Sequence, residues 1–298
     1  MKVIIPKAVT EAGLLASDVV EGDAAAWVEG TTYEKDALCM HAHHLWKSLQ
    51  ADNTGKKPDE NADWWSDQGA TNRWAMFDDK VGTVTRSSGA SLTVDLDFGR
   101  CTGFALFGID ATTLTAEVFD STDALIWSQS VDLTRNPLIT SWLDYFTEPI
   151  DARTEFVATG LPLYSVSRLR ITLTKPAGTV GVGNCVIGRE RFIGMSKWGA
   201  EVGMSDWSRR ATDSFGNTYL KPGNWAKNNR LDLHVENSQV DVVFSALVSL
   251  RGMPTVFIGD NRDVGFNALT VWGAIADFRI VIPGPSVSAC SLEIQGLI

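Results

Sequence analysis

Residues 91–98 read SLTVDLDF. Leu92, Val94, Leu96 and Phe98 occupy alternate positions, so an extended chain places all four on one face and Thr93, Asp95 and Asp97 on the other. A helix would scatter the same four residues around its axis. The stretch is predicted to be a half-buried strand. The same period recurs in TAEVFDS (115–121), ALIWSQSVDL (124–133), SRLRITLTK (167–175) and DFRIVIP (277–283). Gly, Pro, Asn and Asp separate these runs at roughly 8–12-residue spacing, the rhythm of a β-sandwich. Helical patterning is confined to TEAGLLASDV (10–19) and to residues 239–251, so helix content is expected below ~15%, against an ordinary ~30–35%.

Composition narrows the function classes. The 298 residues suffice for two or three units. Hydrophobic residues make up 44% and charged residues 21%, which predicts a folded chain rather than a disordered one. The net charge of −10 argues against nucleic acid as a partner, because phosphate binding needs a basic face. No apolar run approaches the ~18 residues of a membrane span, so no membrane insertion is expected. The opening MKVIIPKAVTEAG does not read as a signal peptide, which predicts a protein that stays in a cytoplasm or leaves without the usual export signal. Cys39, Cys101, Cys185 and Cys290 are far apart in apolar contexts and read as reduced core thiols.

Tryptophan is the anomaly, with eleven against four tyrosines. Trp64, Trp65 and Trp74 crowd into NADWWSDQGATNRWAMFDD (61–79), beside four aspartates. Residues 21–78 read as one small unit. Trp27 precedes a turn, Tyr33 precedes EKDAL, LCMHAHHLWKSL (38–49) reads as a strand, DNTGKKP (52–58) is a turn, and DWW closes the unit. This order, carried by Trp27, Tyr33, Asp36, Trp46, Asn53, Gly55, Pro58 and Trp64 or Trp65, resembles the small chitin- and cellulose-binding modules attached to bacterial chitinases. It departs from their Gly-Asp turn, which is Lys35-Asp36 here. The resemblance implies that an indole stacks on pyranose C–H groups while amides and carboxylates bond the hydroxyls. Trp27 and Trp64 are expected in the module's own core. Trp46 and Trp65, with Asp67 and Gln68, are the candidate glycan contacts, and Trp65 is expected to face outward. Trp74 is expected to pack at the junction with the next unit.

Residues 79–195 order their strands like a galactose-binding-like jelly roll, with RLRITLT (168–174) and VGVGNCVIGR (180–189) in the places of its last strands. In this unit Trp127, Trp142 and Tyr145 are read as core or interface before sugar contacts. The organisation expected is an arm (1–20), a small carbohydrate-module-like β unit (21–78), a β-sandwich of jelly-roll type (79–195), and a β-rich C-terminal domain (196–298) with at most one or two short helices. The fold class is mainly β.

Chemistry-bearing motifs are sparse. There is no G-x-S-x-G elbow, H-E-x-x-H pair or phosphate-binding loop, and three of the four histidines sit in HAHH (41–44). Cys39, His41 and His43 would share a strand face but lie nearly 7 Å apart in succession, too wide to converge on zinc. Neither metal, cofactor nor catalytic residue is expected, and the chain is read as no enzyme. As a whole, and through NRWAMFD (72–78), GMPTVFIGD (252–260) and CSLEIQGL (290–297), it resembles virion proteins of tailed bacteriophages of Gram-negative hosts. That resemblance implies a structural subunit of tail tip, baseplate or collar, assembled in the host cytoplasm into the virion. Its partners would be copies of itself and other tail proteins, with host-surface polysaccharide as the candidate ligand. The rival reading is a carbohydrate-binding accessory protein of a polysaccharide-degrading system.

Overall fold

The computed structural model describes residues 1–134, 139, 141–147, 152–164, 166–260 and 267–297, with no side-chain placement for Tyr145. The chain is mainly β, with 49% strand and 10% helix. Among the described residues, two antiparallel sheets carry most of it. A five-stranded sheet runs in the order 125–132, 113–120, 167–174, 91–97, 14–17. A ten-stranded sheet runs 155–158, 103–107, 184–192, 2–6, 255–258, 270–281, 287–296, 225–236 and 195–196, with 201–206 also paired to 225–236.

The predicted alternation is realised at Ser91–Asp97. Leu92, Val94, Leu96 and Phe98 are buried in one core with Leu114, Val118, Leu169, Ile171 and Leu173. The inward residues of the ten-stranded sheet, Phe104, Leu106 and Ile187, close that core from the other side. Two sheets packed over one apolar layer are the β-sandwich expected for the middle of the chain. On the outer face of Ser91–Asp97, Asp95 is buried and accepts hydrogen bonds from Arg168 Nη1 at 2.8 Å and Arg170 Nε at 2.7 Å.

A second core lies under the helix Val240–Ser249, where Val243, Ala246 and Leu247 pack on Leu231, Leu233, Phe257, Leu292 and Ile294. That helix falls where residues 239–251 predict one. A third cluster, on the opposite face of the ten-stranded sheet, centres on Trp272, whose ring stacks on Phe107 with centroids 6.1 Å apart. The sheet curls, so that Lys227 near one end pairs with Glu155 on the far edge strand.

Residues 1–20 do not form an arm with a helix. Lys2–Pro6 is a central strand, paired on one side with Asn184–Phe192 and on the other with Thr255–Ile258. Its Val3 and Ile4 are buried on opposite faces, which explains a short apolar run without alternation. Glu11–Gly13 is a single 3-10 turn, and Leu14–Ser17 joins the five-stranded sheet. Gly188 lets the first strand approach, because a Cβ there would meet Ile5 O at 1.9 Å. The boundary expected near 195 separates two cores, yet the sheet runs through it unbroken, joined by residues from the start of the chain.

Candidate functional site

The small unit contains a three-stranded sheet, Leu38–His41, His44–Ser48 and Trp65–Ala70. LCMHAHHLWKSL is therefore a hairpin and not one strand. Its turn residues Ala42 and His43 both have positive φ, 49° and 64°. Two left-handed residues in a two-residue loop match the twist of the flanking strands, a geometry that ordinarily selects Asn-Gly. Neither residue announces the turn in the sequence. The hairpin removes His43 from the face of Cys39 and His41, so the three-ligand row considered for zinc does not exist. Among the described residues no group of three His, Cys, Asp or Glu is placed to hold a metal.

Cross-strand pairing of Cys39 with Trp46, His41 with His44, and Trp46 with Asp67 gathers these side chains on one face. On this same face, Tyr33, Cys39 and Trp65 form the buried centre of the unit, with Trp27, Trp46 and Trp64 packed around it. Tyr33 meets Trp65 edge-on at 5.2 Å, and its hydroxyl accepts the Val28 N–H at 2.8 Å. Burial pushes the Cys39 thiol up to about 11.

Trp65 is the residue whose place differs most from expectation. It is 2% exposed and donates its indole N–H to Lys56 O at 2.8 Å. Trp64 is half-buried instead, with Lys56 Nζ 5.7 Å from its ring. Trp64 precedes the strand and packs at the margin of the cluster, while Trp65 opens the strand and fills its centre. Gln68 also leaves the candidate set brought together here. It is the unpaired residue of a bulge between Asp67 and Gly69, and its amide turns to Ser66, donating to Ser66 Oγ at 3.0 Å.

What the structure does bring together is Trp46, Asp67, His44, His41 and Trp27. Trp46 is half-buried and donates its N–H to His41 O at 3.1 Å. His41 lies edge-on to Trp27 at 5.6 Å and 3.3 Å from Asp59. His44 Nδ1 lies 2.9 Å from Asp67 Oδ1. Burial acts to raise the Asp67 carboxyl, but the bonds from His44 and from the Gly69 N–H outweigh it and hold it below its ordinary value. Asp67 is then an ionised acceptor beside an indole surface. An apolar plate rimmed by carboxylate and imidazole suits a sugar ring, whose C–H faces and hydroxyls need those two kinds of contact. The histidines were not singled out for this role by sequence; the unmarked turn hid their approach to Trp27 and Trp46.

Trp74 lies where expected, at the junction. It is 8% exposed, belongs to the sandwich core, and meets Phe77 edge-on at 5.9 Å. Trp142 is exposed on the short helix Trp142–Thr147, and Trp127 packs edge-on to Phe104, so these two share no site; the Tyr145 side chain lies outside the described residues.

A different surface is conspicuous in the C-terminal part. Glu201–Asp206 pairs only with the first half of Trp225–Glu236, and beyond it Arg209–Thr212 and Thr218–Lys221 make a separate two-stranded sheet. This projecting arm exposes Met204, Trp207, Phe215, Tyr219, Leu220 and Trp225, with Phe215 89% and Leu220 74% exposed. A lone two-stranded ribbon is marginal in water, and exposed aromatic clusters mark surfaces that associate.

No family model matches the chain, and no curated protein matches it. Among the described residues no helix is long and apolar enough to cross a membrane.

Proposed function

We propose that the chain is a non-enzymatic structural subunit of a tailed-phage virion, at the tail tip, baseplate or collar. It assembles with copies of itself and with other tail proteins, and its small module contacts host-surface glycan through Trp46 and Asp67. The observation that carries this reading is the arm of residues 201–225, which leaves large aromatic and aliphatic side chains in solvent. Subunits of symmetric assemblies keep such surfaces for their neighbours. The curled β architecture and the resemblance of NRWAMFD, GMPTVFIGD and CSLEIQGL to virion proteins support it. Gold-labelled antibody against the chain should decorate the tails of purified particles, and particles left unlabelled after mild disruption would refute the assignment.

The second reading is a carbohydrate-binding accessory protein of a polysaccharide-degrading system. The rim of Trp46, His44 and Asp67 favours it, because that surface fits a sugar without any assembly. Binding of chitin oligomers by a chain that is absent from particles would select it.

A further inference from the structure

The ribbon at the tip of the arm differs from the rest of the chain in charge as well as in exposure. Residues 207–224 hold three bases, Arg209, Arg210 and Lys221, against one acid, Asp213, a net +2. The whole chain carries −10, so the remainder carries −12. Arg209 pairs with Lys221 across the ribbon, where Lys221 Nζ also lies 5.9 Å from the Tyr219 ring. The ribbon therefore presents aromatic and basic groups together, a composition suited to an anchor at an interface. Two such ribbons repel each other, whereas a ribbon and the acidic body of another molecule attract.

We propose that this arm docks on the acidic body of a second copy of the same chain, head to tail. This rests on the reading of the protein as an assembly subunit and specifies the surface that builds the assembly. A head-to-tail contact uses two different patches, so it closes into a ring when the rotation between copies allows and extends into a filament when it does not. The aromatic groups would supply the buried centre of the contact, and the bases would supply its orientation and its sensitivity to salt.

The test is the mass of the full-length chain in solution by light scattering at low and high salt. Three forms are compared: the unaltered chain, an Arg209→Glu/Arg210→Glu/Lys221→Glu variant, and a Phe215→Ser/Leu220→Ser variant. All five positions are exposed, and circular dichroism verifies that each variant keeps its fold. The expected result is a mass that is a multiple of 32.4 kDa for the unaltered chain at low salt, falling toward 32.4 kDa at high salt. Both variants should run at the single-chain mass throughout. An oligomer that persists in both variants would overturn the proposal, and so would an unaltered chain that stays monomeric at high protein concentration and low salt. A monomer whose arm instead binds vesicles of anionic phospholipid, with binding lost in the same variants, would assign the arm to a membrane surface and also overturn it. Should the chain oligomerise through the arm yet be absent from particles, the docking stands and the virion assignment alone fails.

Discussion

The imidazole of His43 stacks on the indole of Trp74, with ring centroids 4.2 Å apart and planes 29° apart. His43 sits at the tip of the module's hairpin, and Trp74 is part of the sandwich core. Glu21 brackets the contact. It lies 3.2 Å from His43 Nδ1 and accepts the Thr71 hydroxyl at 2.8 Å, while Thr71 N donates to His43 O at 2.8 Å. One stacked pair and its hydrogen-bonded surround thus join the small module to the sandwich.

Trp74→Ala removes a buried indole that serves both units. It should cost about 3–5 kcal/mol. His43→Ala loses only the stack and its pairing with Glu21, and should cost about 1 kcal/mol. Denaturant melts of the two variants check the order. Equal effects would mean that the junction is not held by this pair.

Ala42 is exposed and adopts φ 49°, a conformation disfavoured for residues with a Cβ. Ala42→Gly relieves that strain, offset in part by the greater freedom of glycine in the unfolded chain. A gain of about 0.5 kcal/mol is expected. A small rise in the melting temperature measured by calorimetry would agree, and a fall would contradict the turn geometry.

Trp65→Ala and Trp46→Ala should separate structure from recognition. Trp65 is enclosed with Tyr33 and Cys39, so its loss should cost about 3–5 kcal/mol. Trp46 is half-buried, so its loss should cost about 1–2 kcal/mol. Glycan binding, measured by calorimetry with chitin oligomers on the folded protein, should be abolished by Trp46→Ala. Unchanged binding would remove the rim of Trp46 and Asp67 from the site.

Asp95 predicts acid sensitivity. The Arg170 side-chain bond, joined by Arg168, holds its carboxyl below the ordinary range despite burial. A carboxyl whose folded value is depressed contributes stability that is fully present above its unfolded value of ~3.9 and is lost as pH falls through the folded value. Asp95→Asn should therefore cost about 2–3 kcal/mol at neutral pH, and the difference from the unaltered protein should shrink in acid. A difference independent of pH would show that the ionised pair is not its source.

The buried thiols give a chemical check on the cores. Burial pushes Cys185 up to about 12 and Cys101 and Cys290 each up to about 11. All four cysteines are buried and unpaired, so a thiol reagent at neutral pH should react slowly with the native chain and with four groups once it is unfolded. Rapid native labelling of Cys185 would contradict the packing.

What was legible in the sequence follows physical periodicity. Leu92, Val94, Leu96 and Phe98 announce a half-buried strand because one face is apolar and the other is not. Val3 and Ile4 announce nothing comparable, since both sides of a central strand are covered. Their partners lie about 190 and about 250 positions away, and no local pattern encodes that register. The junction role of Trp74 was readable from the apolar Met76 and Phe77 beside it. The order of Trp64 and Trp65 was not, because two adjacent indoles carry no mark of which one opens the strand. The turn at Ala42 and His43 was hidden because tertiary contacts, and not Gly or Asn, hold it. The candidate rim is correspondingly half-legible: the tryptophan and carboxylate of Trp46 and Asp67 stand out in the sequence, while His41 and His44 join them only through the closure of the hairpin.

The central claim is that this chain is a building block of a tailed-phage particle, and quantitative mass spectrometry of density-purified particles tests it most directly. The account predicts peptides from all parts of the chain at a fixed copy number per particle, in constant ratio to the other tail proteins across preparations. Peptides found only in the cleared lysate, or at a ratio that varies with washing, would contradict it.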